Sequence, residues 1–252
     1  MKFVSSFVVF ILLMTLAACS GDHHDTHFSH GEGNVHGYLI PGLDHGLMQS
    51  PINILSLGSK AGHHNIEINY SGLVTMVENK GHTVQLDFEP GSTVMVDGKT
   101  YDMVQCHFHT PSEHLIDGMT FPMEMHIVNR LQGHSEEDIP QYLVIGYMYK
   151  MGKESDFLRR FIELIPEEAG TTKEVEFTTL FGERTPQEVL DDWTHYYHYK
   201  GSLTTPPYTE SVEWYVLSKI HEASPEQIMR INSIEGDNAR HIQGMYGREI
   251  DQ

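Results

Sequence analysis

The sequence predicts a mostly β domain, a single large sheet-centred unit with short helices at its periphery, and three observations carry this. From Ile66 onward, runs of five to eight residues alternate apolar and polar side chains, as in Thr83-Val84-Gln85-Leu86-Asp87-Phe88, which is the period of a strand. Gly, Asn and Asp punctuate these runs, and there is no strand–helix–strand alternation to argue for a parallel sheet. The 252 residues are 39% hydrophobic and 10% aromatic, enough for one sizeable core and unlike a disordered acidic chain.

In chain order, Met1-Lys2 places one positive charge before the apolar run Phe3 to Leu16, and Ala17-Ala18 precede Cys19. That is the layout of a signal peptide over residues 1–18. The run is shorter than the ~20 apolar residues of a membrane-spanning helix. Leu16-Ala17-Ala18-Cys19 resembles the bacterial lipobox, which implies that Cys19 becomes the lipidated first residue of an exported protein. Acyl chains then hold it to a bacterial membrane, in the periplasm or at the cell surface. Residues 19–46 follow with His23, His24, His27, His30, His36 and His45 set among Gly, Asp and Ser. They read as a flexible His-rich tether that spaces the domain from the bilayer or, on a second reading, captures metal or buffers protons. The folded domain is expected over residues 47–252.

Within that domain, Asp97-Gly98 suits a tight two-residue turn and separates the run Ser92 to Val96 from the run Tyr101 to His109, so two adjacent antiparallel strands are expected. Thr185-Pro186-Gln187-Glu188 and Ser224-Pro225-Glu226-Gln227 each place a hydroxyl before Pro and a Glu or Gln two residues beyond it, the pattern of a capped helix start. A third helix is expected over Asp156 to Leu164.

Charge and composition narrow the function. Sixteen Lys and Arg against 35 Asp and Glu give a formal charge of −19, and with no basic stripe to reverse it, nucleic acid is excluded as a partner. Two cysteines, Cys19 and Cys106, exclude a disulfide scaffold or a Cys-rich zinc ribbon. The 18 histidines direct attention to metal or proton chemistry.

The densest histidine pattern is Gln105-Cys106-His107-Phe108-His109-Thr110-Pro111-Ser112-Glu113-His114, followed by Met123-Glu124-Met125-His126-Ile127-Val128. On a strand, Gln105, His107 and His109 share one face while Cys106 and Phe108 point to the other. On the next strand Glu124, His126 and Val128 share a face. If the two strands pair, His126 joins the other two imidazoles. A lone His-x-His reads first as two satisfied pocket histidines, and it is the third histidine, with polar residues on both ligand faces, that favours zinc. Three neutral imidazoles on Zn²⁺ would leave one open position, the arrangement of a catalytic zinc. Gln105 and Glu124 lie on the proper faces to accept the second ring N–H of a ligand.

These residues resemble the α-class carbonic anhydrases. Gln49-Ser50-Pro51-Ile52-Asn53-Ile54, Gly81-His82-Thr83, the His107 to Val128 block, Gly201-Ser202-Leu203-Thr204-Thr205-Pro206-Pro207 with Glu210, Val212 and Trp214, and Asn238 with Arg240 stand in that family's order. The resemblance runs from about Gln49 to Gln243 and implies the family's fold and its reversible hydration of carbon dioxide to bicarbonate and a proton, a zinc-dependent lyase reaction. It implies that His107, His109 and His126 bind zinc, that Gln105 and Glu124 accept their second N–H, and that His114 and Tyr199 extend the polar network. Thr204 is implied to accept a hydrogen bond from the attacking hydroxide and to pass its own hydrogen to Glu113. Val128, Val144, Leu203, Val212 and Trp214 are implied as the apolar wall for carbon dioxide, Thr205 as the border of the bicarbonate site, and His82 as the proton shuttle.

The sequence departs from the family in two places. Tyr208 stands where secreted members commonly carry a cysteine after Pro-Pro, so the domain must do without that disulfide, and the aromatic-rich N-terminal segment is shortened. Cys106 is expected as a buried free thiol. Two further functions remain open at this stage: an acatalytic binding module on the same scaffold, and a zinc-capturing surface lipoprotein.

Overall fold

The computed structural model describes residues 46–69, 73–133, 135, 138–178 and 186–252. The signal segment, Cys19 and all six tether histidines lie outside the described residues, as does Thr185.

The described residues form twelve strands: β1 Asn53–Ile54, β2 Ile66–Asn69, β3 Leu73–Asn79, β4 Val84–Phe88, β5 Thr93–Val96, β6 Lys99–His109, β7 Leu115–Ile116, β8 Met123–Leu131, β9 Tyr142–Met151, β10 Thr171–Thr178, β11 Tyr196–Gly201 and β12 Val212–Ala223. Ten of them make one sheet in the order β10-β3-β4-β6-β8-β9-β12-β11, with β5 alongside the first half of β6 and β2 outside β5. The short β1 and β7 pair separately.

The Asp97-Gly98 turn joins β5 to β6 as the sequence predicts, and both residues take positive φ, 51° and 78°. The expected antiparallel pairing holds across β3, β4, β6, β8 and β9. The sheet is nevertheless mixed, because β12 runs parallel to β9. The intervening chain carries the short helix α1 (Asp156–Arg159), β10, α2 (Pro186–Trp193) and β11, so this crossover is not a compact βαβ unit and leaves no local signature.

α3 (Pro225–Glu235) starts as the sequence predicts: Ser224 Oγ accepts from the Gln227 N–H, and the Gln227 side chain accepts from the Ser224 N–H. The helix expected over Asp156 to Leu164 is instead the one-turn α1 and a separate 3-10 turn, Ile162–Leu164. Phe157, Leu158, Phe161 and Ile162 are all buried, so packing of an apolar cluster overrides continuation of the helix.

The strand alternation divides the interior in two. One face, with Cys106, Phe108, Met125, Ile127, Ile145 and Tyr215, packs against α1, α3 and Trp193. The other, with Val144, Met148, Tyr199, Val212, Trp214 and Val216, packs against Ile52 and Ile54. Burying a side chain such as Phe108 or Ile127 is worth about 1.5–3 kcal/mol. A one-residue slip of β6 against β8 would exchange the two faces and forfeit several such terms. The register that places the histidines is therefore enforced by the residues between them.

Candidate metal centre and active site

β6 and β8 pair with His107 directly opposite His126 and His109 opposite Glu124. Pleating turns all three histidines to the same face, and their ring centroids stand 5.0 Å (His107–His109), 5.2 Å (His107–His126) and 4.6 Å (His109–His126) apart. One nitrogen from each lies within 4.8 Å of the others. The second nitrogens of two are spoken for. His107 Nδ1 donates to Gln105 Oε1 at 2.9 Å and His126 Nε2 to Glu124 Oε1 at 2.9 Å, which leaves His107 Nε2 and His126 Nδ1 as ligating atoms. Burial holds both imidazoles below their usual pKa, His107 with help from neighbouring His126, so both are neutral at neutral pH, the form a metal needs. The donor set fits a zinc ion.

Glu124 is fully buried and accepts four hydrogen bonds: from the N–H of Glu113 and of His114 at Oε2, both 2.9 Å, and from His114 Nδ1 and His126 Nε2 at Oε1, 2.8 and 2.9 Å. Burial pushes its pKa up, but the two histidines outweigh this and hold it well below the usual carboxylate range. The network continues from His114 Nε2 to Tyr199 Oη at 2.6 Å and on to Ser50 Oγ at 2.9 Å, which also accepts the Ser202 N–H. Two glycines make this packing feasible. A Cβ on Gly201 would stand 2.1 Å from Ser50 Oγ, and one on Gly146, opposite His126 on β9, would stand 3.0 Å from Glu124 Oε1.

Glu113 is buried beside the cluster, its Oε1 3.5 Å from His109 Nδ1 and its Oε2 3.9 Å from His126 Nδ1. The Thr204 hydroxyl hydrogen-bonds its carboxylate and the Arg240 N–H donates to Oε1 at 3.0 Å. Burial pushes Glu113 up to about 8 against the pull of these two donors.

Val144, Val212 and Trp214 are buried in one apolar cluster, with Val128 and Leu203 partly buried against it. The Trp214 ring lies 4.8 Å from the His126 ring, and its N–H donates to the Ser202 carbonyl at 3.0 Å. A pocket of about 250 Å³ opens over His107 and His109 and is lined besides by Lys80, His82, Thr83, Gln85, Gln105, Thr205 and Pro206. Asn238 secures the His82 position, donating to the His82 carbonyl at 2.8 Å and to the Phe108 carbonyl at 3.1 Å.

The structure thus gathers His107, His109, His126, Gln105, Glu124, His114, Tyr199, Glu113 and Thr204 into one network, places His82 and Thr205 on the pocket wall, and packs Val128, Val144, Leu203, Val212 and Trp214 in one apolar cluster beside His126. It gives Ser50 and Arg240, so far only parts of motifs, definite contacts in this network, and it adds Gly146, for which residue type gave no functional signal. Arg240 also answers the missing disulfide: its guanidinium lies 3.8 Å over the Tyr208 ring and donates to the Ser50 carbonyl at 2.6 Å and to Gln49 Oε1 at 3.0 Å. Cys106 is buried and free, with burial raising its thiol pKa well above the usual value.

Fold and site together define a class: a large, mostly antiparallel sheet carrying a three-histidine centre suited to a metal, set beside an apolar wall under an open pocket. Residues 40–251 match the profile of the eukaryotic-type carbonic anhydrases, and the chain belongs to this α-class family. It is 38% identical over 209 residues to a carbonic anhydrase of Neisseria gonorrhoeae, covering 81% of this chain and 77% of that one. It is 32% identical over 257 residues to that of Pectobacterium carotovorum, covering 99% of each. Among solved structures, the α-carbonic anhydrase of Thermovibrio ammonificans, in complex with the inhibitor sulfanilamide, superimposes with a TM-score of 0.72 at 33% identity, over 82% of this chain and 88% of that one. Family membership implies hydration of carbon dioxide.

Proposed function

We propose that the chain is an exported, lipid-anchored zinc enzyme that hydrates carbon dioxide reversibly, with carbon dioxide and bicarbonate as its reactants. The observation that carries the catalytic reading is the convergence of His107, His109 and His126, two of them oriented by Gln105 and Glu124, beside the Thr204–Glu113 pair, while export and the lipid anchor rest on the Leu16-Ala17-Ala18-Cys19 pattern. A zinc ion held by the three imidazoles would act as a Lewis acid that makes a water acidic near neutral pH, the property for which carbonic anhydrases are the general example.

The chain's own residues do the rest. Glu113 accepts from Thr204 and from the Arg240 backbone, which leaves the Thr204 oxygen as an acceptor toward the attacking oxygen and points a lone pair of that oxygen at the substrate. A divalent cation nearby favours the ionised Glu113 that this arrangement needs. Carbon dioxide offers no strong hydrogen-bonding handle, so Val128, Val144, Leu203, Val212 and Trp214 position it by contact and keep competing water away. Thr205, on the pocket wall, borders the bicarbonate. His82, on the same wall, takes up the proton released in each turnover and passes it to buffer.

The test is a carbon dioxide hydration assay on the full chain, stripped of metal and reloaded with zinc. Activity should vanish on stripping and return with zinc, and His107→Ala should lose both tight zinc binding and hydration. Undiminished hydration by the metal-free protein would overturn the reading.

A further inference from the structure

The opposite face of the sheet carries a second cluster. Side chains alternate along β11, so while Tyr197 and Tyr199 join the core on the side of the three-histidine centre, Tyr196 packs on the other side and His198 follows it there. The His198 ring lies 4.6 Å from that of Tyr215, which also belongs to that side. His64, from the loop before β2, and Asp251, from the C-terminal tail, meet His198 at this point, with one ligand atom of each within 4.8 Å of the others. His198 Nδ1 is 2.9 Å and His64 Nε2 3.5 Å from Asp251 Oδ1. A zinc tetrahedron with bonds of ~2.0–2.1 Å has edges of roughly 3.3 Å, so these spacings need little adjustment.

An independent feature points the same way. Each histidine has its other nitrogen held by a different carboxylate: His64 Nδ1 lies 2.6 Å from Asp97 Oδ2, and His198 Nε2 lies 2.9 Å from Glu213 Oε2. Metal-ligating histidines usually show this pairing, which fixes the tautomer so that the remaining nitrogen presents its lone pair. Asp97, Glu213 and Asp251 bring three negative charges to a cleft of about 200 Å³ in which Lys99 and Lys200 are the lining cations.

The tail is seated with care. The His198 N–H donates to the Asp251 carbonyl at 2.8 Å, the Asp251 N–H returns to the His198 carbonyl at 3.1 Å, and the Gln252 N–H donates to the Lys60 carbonyl at 2.9 Å. A Cβ on Gly62 would stand 2.9 Å from Asp251 Cγ, so the lack of a side chain there makes room for this carboxylate.

We propose that His64, His198 and Asp251 form a second zinc site, completed by water, which fastens the C-terminal tail to β11 and to the loop before β2. On binding, His198 Nε2 keeps its proton toward Glu213, the Nδ1 lone pair goes to zinc, and a proton held between Nδ1 and Asp251 leaves to solvent. The ion cross-links positions 64 and 251 in a domain whose one cysteine, Cys106, is buried and free.

Zinc titration of the full chain against a chromophoric chelator tests this, with stoichiometry read as a difference between variants so that the tether histidines cancel. His64→Gln and Asp251→Asn should each lose one equivalent relative to wild type and keep the wild-type hydration rate, which also shows that they fold. His107→Ala should lose a different equivalent, and His107→Ala/His64→Gln two. In His107→Ala protein, zinc should protect the C-terminal residues from carboxypeptidase, and the double variant should lose that protection. Equal stoichiometry in wild type and both single variants, meaning an ion-pair cluster only, would overturn the proposal. So would an equivalent lost in His64→Gln but kept in Asp251→Asn, or tail digestion indifferent to zinc in His107→Ala protein.

Discussion

Glu124→Gln preserves the shape of a fully buried side chain and changes only the hydrogen bonds it can make. Its carboxylate accepts four N–H groups, two from the backbone and two from imidazoles. A carboxamide offers a single oxygen, so two of the four donors would face an NH₂ group that has nothing to accept with. Each buried donor left unsatisfied costs about 1–3 kcal/mol, so the metal-free protein should lose about 2–6 kcal/mol if nothing relaxes. With the oxygen kept on the Glu113 and His114 N–H groups, the amide confronts His114 Nδ1 and His126 Nε2. His126 escapes only by moving its proton to Nδ1, the atom that should hold zinc, and zinc must then displace that proton. Loss of such an orienting acceptor typically costs about 10–100-fold in metal affinity. Urea unfolding of the stripped protein reads the first effect and competition with a chelator reads the second. A variant with the wild-type unfolding midpoint and wild-type zinc affinity would refute the claim that this carboxylate sets the tautomer.

Further outcomes follow from other groups. Burial, against the pull of Val84 N–H and the Thr83 and Thr110 hydroxyls, raises the Glu235 carboxyl well above its ordinary value. The folded state therefore keeps a proton that the unfolded chain releases above pH ~4.3, and stability falls as pH rises past that point. Glu235→Gln should match wild type near pH 4 and exceed it by pH 8 in urea midpoints, and a pH-independent difference would count against this. His82→Ala should lower turnover in dilute buffer while sparing the second-order rate for carbon dioxide, with added imidazole restoring it; unchanged turnover in dilute buffer would remove His82 from proton export. Cys19→Ser should release the chain from the membrane fraction, whereas retention after washing would contradict lipid anchoring there.

What was legible in the sequence is what local chemistry writes into it. Alternation placed His107 and His109 on one face and Cys106 and Phe108 on the other, Asp97-Gly98 marked its hairpin, and Ser224 to Gln227 marked the start of α3. The parallel pairing of β12 with β9 was not legible, because Val212 meets Tyr142 through contacts between strands some 70 residues apart, and nothing in either strand encodes direction. The helix expected over Asp156 to Leu164 stops after one turn because burial of Phe157, Leu158, Phe161 and Ile162 against the sheet, a tertiary demand, decides the backbone there. Ser50 and Arg240 entered as parts of a family motif, yet their duties, accepting from Tyr199 and Ser202 and donating to Glu113, depend on a tertiary meeting of segments distant in sequence that no spacing reveals.

Gly146 serves the centre by an atom it does not have. It sits on a strand that supplies no ligand, and a methyl group there would press on Glu124 Oε1 at 3.0 Å with Val216 close behind at 3.5 Å. A graft of the three histidines and their acceptors onto another sheet would reproduce the visible chemistry and still fail unless this hollow travelled with it. A relative that keeps all three histidines but carries a larger residue at this position should bind metal poorly, so an inventory of ligands alone would misjudge which members of such a family are competent.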